Sequence, residues 1–188
     1  MLSSPLLKLA ILSCAVLLAG CDRQSGDKAQ PQTSASASAA APVGSIDRGH
    51  KGSALPDFQL KDQAGKELDL ASLKGKPLLI NLWATWCGPC IAELPKLDAI
   101  AANNPAIKVL TIDQDTEKLD MVAKFLTERG VTRLEPWLNP DNSVMFHYEA
   151  EMLPTTVLYD SAGKEVWRTS GPRDWASAET TALLAEAK

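Results

Sequence analysis

Two cysteines separated by two residues, directly after a buried-strand pattern, constrain this chain more than any other feature. Residues 77–83 read PLLINLW, an apolar run typical of a strand buried on both faces of a sheet. The motif Cys87-Gly88-Pro89-Cys90 follows and opens a helix that we predict from residue 87 to about 102. The first turn of a helix presents unpaired N–H groups and the positive end of the helix dipole, which stabilise a thiolate. We therefore predict that Cys87 has a lowered pKa and acts as the nucleophile.

Cys90 lies one helical turn after Cys87, on the same face of the predicted helix, and can form a disulfide with it. We predict that Cys90 is the resolving thiol. Gly88 permits close approach by a partner, and Pro89 occupies an early helical position where no backbone donor is needed. A static disulfide across two intervening residues closes too small a loop to stabilise the fold much. The sequence therefore predicts a redox-active pair that works without a cofactor.

A zinc site is the other structure that paired cysteines suggest. Tetrahedral zinc needs two further N or S ligands, usually a second CxxC or paired histidines. The chain has two other cysteines, Cys14 and Cys21, and two distant histidines, so we predict no metal. The formal net charge of −4 lacks the basic footprint of nucleic-acid binding, and we expect no nucleic-acid partner.

The rest of the pattern predicts alternating strands and helices. Strands are expected at residues 57–61, 66–70, 107–112, 155–159 and 165–170, and helices at 117–129, 143–148 and 177–187, with Ser177 as an N-cap. Turns containing Gly65 and Gly163 join the first two and the last two strands as hairpins. This order predicts an α/β domain with three layers (α/β/α), a mixed central sheet, an N-terminal β-hairpin extension and an inserted helical segment.

The N-terminal segment has the pattern of a targeting sequence. Its uncharged run, residues 9–20, makes about 18 Å of helix, which is too short to cross a hydrocarbon core of about 30 Å. This length is typical of a signal-peptide apolar region. Residues 30–42 read QPQTSASASAAAP and contain no charge, aromatic or large aliphatic side chain, so they predict a disordered tether. We therefore assign residues 1–20 to a signal peptide, 21–52 to a tether and 53–188 to the folded domain.

The end of the apolar run, Leu18-Ala19-Gly20-Cys21, resembles the lipobox of bacterial lipoproteins. The resemblance implies cleavage before Cys21 and lipidation of its sulfur, so that Cys14 leaves with the signal peptide. Asp22 is the residue type that favours retention at the inner membrane in enteric lipoproteins. Three acyl chains exceed the two signals that stable anchoring needs. An ordinary secretory signal is the alternative.

The stretch NLWATWCGPC, followed by Ala92-Glu93-Leu94-Pro95, resembles the TlpA/ResA-like family of thioredoxin-fold thiol–disulfide oxidoreductases. The likeness extends over residues 55–188 and includes Met152-Leu153-Pro154-Thr155-Thr156. It implies a thioredoxin-like fold in which Pro154 is cis and lies against the cysteine pair. It also implies that Leu153 offers backbone groups to an extended substrate and that Trp86 covers the rim of the site.

One departure from thioredoxin concerns the proton on the resolving cysteine. Thioredoxin has a buried aspartate at the strand position that Asn81 occupies here, and Asn81 cannot titrate. Glu93 lies three residues after Cys90, on the same helix face. We hypothesise that Glu93 is the proton shuttle for Cys90 and that burial raises its pKa.

The motif also bears on the direction of electron flow. The Gly-Pro pair between the cysteines is that of thioredoxin, a reductant, and not of oxidants such as DsbA. In an oxidising cell envelope such a reductant needs electrons, and the family implies a transmembrane dithiol carrier of the DsbD/CcdA type as donor. Its acceptors would be exported proteins with cysteine pairs, as in cytochrome c maturation or assembly of the cytochrome oxidase copper site. A copper-binding, metallochaperone-like module and a disulfide oxidase or isomerase remain the alternatives.

Overall fold

The apolar run before the cysteine pair forms the third strand of a seven-stranded mixed sheet with the order β2-β1-β5-β4-β3-β6-β7. The computed structural model describes residues 44–116 and 119–187. Every residue of β3 is buried, because β3 runs parallel to β4 on one side and antiparallel to β6 on the other. The strands are β1 (Gln59–Lys61), β2 (Glu67–Asp69), β3 (Leu78–Trp83), β4 (Lys108–Asp113), β5 (Trp137–Leu138), β6 (Thr155–Tyr159) and β7 (Glu165–Ser170).

The described residues also form four α-helices and three short 3-10 helices. The α-helices are α1 (Gly88–Asn103), α2 (Val122–Glu128), α3 (Ser143–His147) and α4 (Ala178–Leu184), and the 3-10 helices are Leu70–Leu73, Leu119–Met121 and Ala185–Ala187. The Oγ atom of Ser177 accepts the backbone N–H of Thr180 at 3.1 Å, which confirms the predicted cap of the last helix. The helix expected over residues 117–129 is shorter, because its first described turn is 3-10.

Two apolar clusters lie on opposite faces of the sheet. Side chains of α1, α2 and α4 pack with Leu79 and Trp83 of β3 on one face. On the other face, α3 and the β-hairpin extension pack against Ile80 and Leu82. Consecutive β3 residues point to opposite faces, so a single strand supplies both clusters. The predicted three-layer thioredoxin-like architecture is confirmed.

Residues 44–52 differ from the prediction, which placed them in the tether. Asp47 and Arg168 of β7 exchange two backbone hydrogen bonds of 2.8 and 2.9 Å, and Gly52 donates its N–H to Glu165 at 2.8 Å. We call residues 44–52 the N-terminal arm. These bonds use main-chain groups of a segment whose side chains carry no strand pattern. The predicted boundary at Ser53 therefore needs correction, because residues 44–52 belong to the folded domain.

The predictions for the signal peptide, Cys21 and Asp22 lie outside the described residues. Across residues 44–116 and 119–187, none of the helices combines the length and the apolar character needed to cross a bilayer.

Candidate active site

Cys87 and Cys90 lie where β3 passes into α1. Cys87 is the N-cap residue of α1, and its Sγ atom accepts the backbone N–H of Cys90 at 3.3 Å. The two sulfurs form a disulfide with an S–S distance of 2.04 Å. The pair thus sits at the positive end of a 16-residue helix, where the dipole and free N–H groups favour a thiolate. This placement is what attack on a second disulfide requires.

The surface in front of the pair is open. Trp86, next to Cys87 in the sequence, is 71% exposed, whereas Cys87 is 5% and Cys90 1% exposed. Gly88 and Pro89 are also exposed, and a Cβ atom at Gly88 would meet no other atom within 4 Å. A partner can therefore approach the pair over Gly88, beside the indole of Trp86.

The loop before β6 lies beside this surface. The Leu153–Pro154 peptide bond is cis, the geometry expected from the resemblance. Thr155, which follows Pro154, pairs with Leu82 near the C-terminal end of β3, so the sheet register brings the cis-proline loop to the motif. Leu153 is partly buried between the two apolar clusters, and Met152 is 40% exposed. Trp86 and Met152 thus leave apolar surface on two segments that flank the disulfide.

Glu93 is buried on α1, only 4% exposed. Burial raises the pKa of its carboxyl, and the nearby indole of Trp175 and the backbone N–H of Arg173 oppose that rise. The Oε1 atom accepts the Arg173 N–H at 2.5 Å, while Oε2 is buried with no hydrogen-bond partner among the described residues. The raised pKa agrees with the expectation from sequence; the role in moving the Cys90 proton stays a prediction.

The turn at residues 171–173 joins Glu93 to the cis-proline loop. Gly171 donates its N–H to the Pro154 carbonyl at 2.8 Å, and Arg173 donates its N–H to Glu93. The Arg173 guanidinium also donates to the Gly44 carbonyl at 2.7 Å, so the N-terminal arm is fixed to the same turn. The sequence showed no periodic signal for these contacts, which are made mainly by backbone atoms.

Asn81 lies behind the motif on β3. Its Nδ2 atom donates to the Thr156 hydroxyl at 2.9 Å, across the β3–β6 pair. At the strand position where thioredoxin has a titrating aspartate, this chain therefore has a neutral hydrogen bond between β3 and β6.

Two aspartates that the sequence reasoning missed lie on the β4 side of the motif. Asp115 accepts the N–H of Thr85, two residues before Cys87, at 3.0 Å. Asp113, fully buried, accepts the N–H of Asp115 at 2.9 Å, and burial raises the pKa of Asp113 to about 7. Their signal was the stretch Thr111-Ile112-Asp113-Gln114-Asp115, with two acids at the end of a predicted central strand.

These features define a class, the thioredoxin-fold thiol–disulfide oxidoreductases. A family model described as Redoxin matches residues 50–184, and the chain belongs to that family. It is 32% identical to the thiol–disulfide oxidoreductase ResA of Bacillus subtilis (strain 168) over 123 residues, which are 64% of this chain and 68% of ResA. It is 34% identical to ResA of Geobacillus thermodenitrificans over 115 residues, 60% of this chain and 65% of that protein.

Solved structures agree with this assignment. A crystal structure from Chlorobium tepidum, assigned to the thiol:disulfide interchange protein DsbE, aligns with a TM-score of 0.64 and 26% identity. The alignment covers 77% of this chain and all of that one. The pneumococcal exposed lipoprotein thioredoxin Etrx1, from Streptococcus pneumoniae TIGR4, aligns with a TM-score of 0.60 and 27% identity, over 70% of this chain and 99% of that one. The chain is a ResA-like thiol–disulfide oxidoreductase.

Proposed function

We propose that this protein is a membrane-tethered, periplasmic reductant of cysteine pairs in exported proteins. The observation that carries the proposal is the placement of Cys87 at the N-terminus of α1, bonded to Cys90 and open to a partner over Gly88. The Gly-Pro pair of the motif favours reduction, since thioredoxin, which has the same pair, works near −270 mV.

The proposed reaction has two exchange steps. The Cys87 thiolate attacks one sulfur of the substrate disulfide; a Cys87–substrate disulfide forms and one substrate thiolate leaves. The Cys90 thiolate then attacks the Cys87 sulfur, which restores the Cys87–Cys90 disulfide and releases the second substrate thiolate. Two electrons pass from the enzyme to the substrate, and the two departing thiolates take up protons. Glu93 accepts the Cys90 proton, and no cofactor beyond the cysteine pair takes part.

Substrate binding is assigned to the surface around the pair. Trp86 and Leu153 contact the residues that flank the substrate cysteine, and the backbone of Leu153 pairs with an extended segment. Gly88 and Pro89 leave room for that segment because neither projects a long side chain. Exposed apolar groups on both sides of a disulfide favour a partly unfolded partner over a folded surface with buried apolar residues.

The proposed location rests on the N-terminal sequence. The lipobox-like stretch ending at Cys21 supports lipidation, and Asp22 supports retention at the inner membrane. The similarity to a pneumococcal lipoprotein thioredoxin agrees with an anchored domain. A reductant in the envelope needs a donor, and we assign this role to a transmembrane dithiol carrier of the DsbD/CcdA type. Cysteine pairs destined for haem or copper, as in cytochrome c maturation or cytochrome oxidase assembly, are the proposed substrates.

Trapping tests the function. Full-length protein carrying Cys90→Ser cannot resolve the mixed disulfide, so exported substrates should accumulate on Cys87 and be released by a reductant. The matched control, Cys87→Ser, should trap none of them. A reduction potential well below that of DsbA, measured against glutathione, is expected. Recovery of no partner, together with a potential above about −150 mV, would contradict the reductase assignment and favour an oxidase.

A further inference from the structure

Gln114 and Asp115, which directly follow β4, hydrogen-bond to the turn that leads into the cysteine pair. Thr85 N–H bonds to the Asp115 carboxylate at 3.0 Å, and Gln114 N–H bonds to the Trp83 carbonyl at 2.8 Å. The Cys87 N–H bonds back to the Ala84 carbonyl at 3.1 Å. The position of the nucleophile therefore depends on a short run of backbone whose only side-chain acceptor among the described residues is Asp115.

Asp115 is itself positioned by a second carboxyl. Its N–H bonds to Asp113 Oδ1 at 2.9 Å, and both aspartates are buried. The other oxygen of Asp113, Oδ2, is buried and has no hydrogen-bond partner among the described residues. An ionised carboxylate with a buried, unpaired oxygen is costly, whereas a proton on that carboxyl removes the buried charge. The geometry thus favours a proton on Asp113.

The surroundings of Asp113 contain little charge to offset its own. The sheet places Trp83 of β3 and Leu138 of β5 beside it, and neither is charged. Among residues 44–116 and 119–187, Asp115 is the one ionisable neighbour whose charge alters the pKa of Asp113, and that charge raises it. The turn itself brings the Cys87 sulfur, which becomes a second negative group once it is a thiolate. The Thr85 and Cys87 N–H bonds thus connect Asp115 to the motif through one short backbone segment.

We propose that Asp113 holds a proton and that Asp113 and Asp115 act as positioning residues, which set the reactivity of Cys87 through the Thr85 N–H. With the proton present, Asp113 is neutral and its Oδ1 atom accepts the Asp115 N–H, while the Asp115 side chain accepts the Thr85 N–H. When the proton leaves, Asp113 adds a negative charge on the β4 side of the motif. That charge disfavours the Cys87 thiolate. The inference needs thiol–disulfide exchange but holds for either direction of electron flow.

The pH dependence of Cys87 alkylation tests this. Reduced full-length protein is treated with iodoacetamide between pH 5.5 and 8.5, and the rate is followed on the Cys87 peptide by mass spectrometry. Asp113→Asn keeps an acceptor for the Asp115 N–H and stays neutral, so it imitates the protonated acid. We expect wild-type and variant rates to agree at pH 5.5, and the variant to react at least about twofold faster at pH 8, because one nearby negative charge is gone.

A second variant and a control complete the test. Asp115→Asn removes the charge that raises the pKa of Asp113, so the inflection near pH 7 should move to lower pH rather than vanish. Asp98→Asn is the matched control, since Asp98 also accepts backbone N–H groups, from Thr132, Arg133 and Leu134, but far along α1 from the motif. Its alkylation profile should match the wild type even if its stability falls.

The protonation of Asp113 can also be observed directly by infrared spectroscopy. In the infrared difference spectrum between pH 6 and pH 8, the wild type should lose a protonated-carboxyl component that Asp113→Asn lacks, while a Glu93→Gln variant should keep it. Superimposable alkylation profiles for wild type and Asp113→Asn, no such component, or an equal change in Asp98→Asn would each overturn the proposal. Trapping through Cys90→Ser is done with both aspartates unchanged, so its failure would count against the proposed function and not against this inference.

Discussion

The buried carboxyl of Asp113 leads to a prediction about the pH dependence of the free energy of unfolding. Its pKa is about 7 in the folded protein, against an ordinary value of 3.8 that the unfolded chain would show. The folded state therefore binds this proton more tightly than the unfolded state, and the stabilisation is lost as pH rises. About three pKa units correspond to roughly 4 kcal/mol over the full range, and to about 3 kcal/mol between pH 5 and pH 8.

Asp113→Asn removes this titration, so the variant should gain stability relative to wild type as pH rises. The free energy of unfolding is measured by urea denaturation of the oxidised proteins, in which the two active-site thiols do not titrate. The difference between variant and wild type should grow by about 3 kcal/mol in favour of the variant from pH 5 to pH 8. A difference that stays constant over this range would refute a protonated, buried Asp113.

Glu135 supplies the matched acid-to-amide control. Lys108 and Lys66 bond to its carboxylate and hold its pKa at about 2, below its ordinary value, despite the opposing effect of partial burial. A lowered pKa contributes stability that is present above the unfolded value and lost only as pH falls toward 2. Glu135→Gln should therefore cost the same amount at pH 5 and pH 8. A slope in this control would mean that the substitution changes more than its own titration.

Three further changes test neighbouring parts of the structure. Glu93→Gln should remove an inflection from the pH profile of thiol exchange, because Glu93 has a raised pKa; an unchanged profile in an insulin-reduction assay would exclude a proton-shuttle role. Arg173→Ala should speed amide hydrogen exchange at Asp47, since the guanidinium bond to Gly44 is lost while the Arg173 N–H still binds Glu93. Ser177→Ala should cost about 1 kcal/mol in urea unfolding at any pH, because it removes the cap of α4.

The parts of the fold that could be predicted from sequence are those that a local sequence pattern determines. A continuous apolar run gave β3, the position of Cys87 before a helical pattern gave α1, and a hydroxyl before the last helix gave its cap. The strand β5 was not predicted. It has two residues, and its place depends on pairing with Ile112 and Asp113 of β4 and with Lys61 of β1, partners distant in sequence.

The residues of the candidate site also separate into those that a local pattern predicts and those that it does not. The cysteine pair and the proline at 154 are readable as motifs, but the acids that surround them are not. Glu93 was found because helix spacing links it to Cys90, whereas Asp115 meets Thr85 across 30 positions of sequence. The N-terminal arm was missed for a related reason: its bonds to β7 use backbone groups, which any sequence can supply.

The described acids near the motif share one feature, which is that they bond to backbone N–H groups. Glu93 accepts from Arg173 in the turn that holds Pro154, and Asp115 accepts from Thr85 in the turn that holds Cys87. Such a carboxyl can change thiol reactivity by moving the turn or by its charge. Substitution by the amide separates the two effects, since Asn and Gln keep an acceptor oxygen and lose the charge. On the β6 side of β3, Asn81 makes a neutral hydrogen bond to Thr156. Among the described residues, we therefore expect acidic side chains to alter thiol reactivity through these two flanking turns.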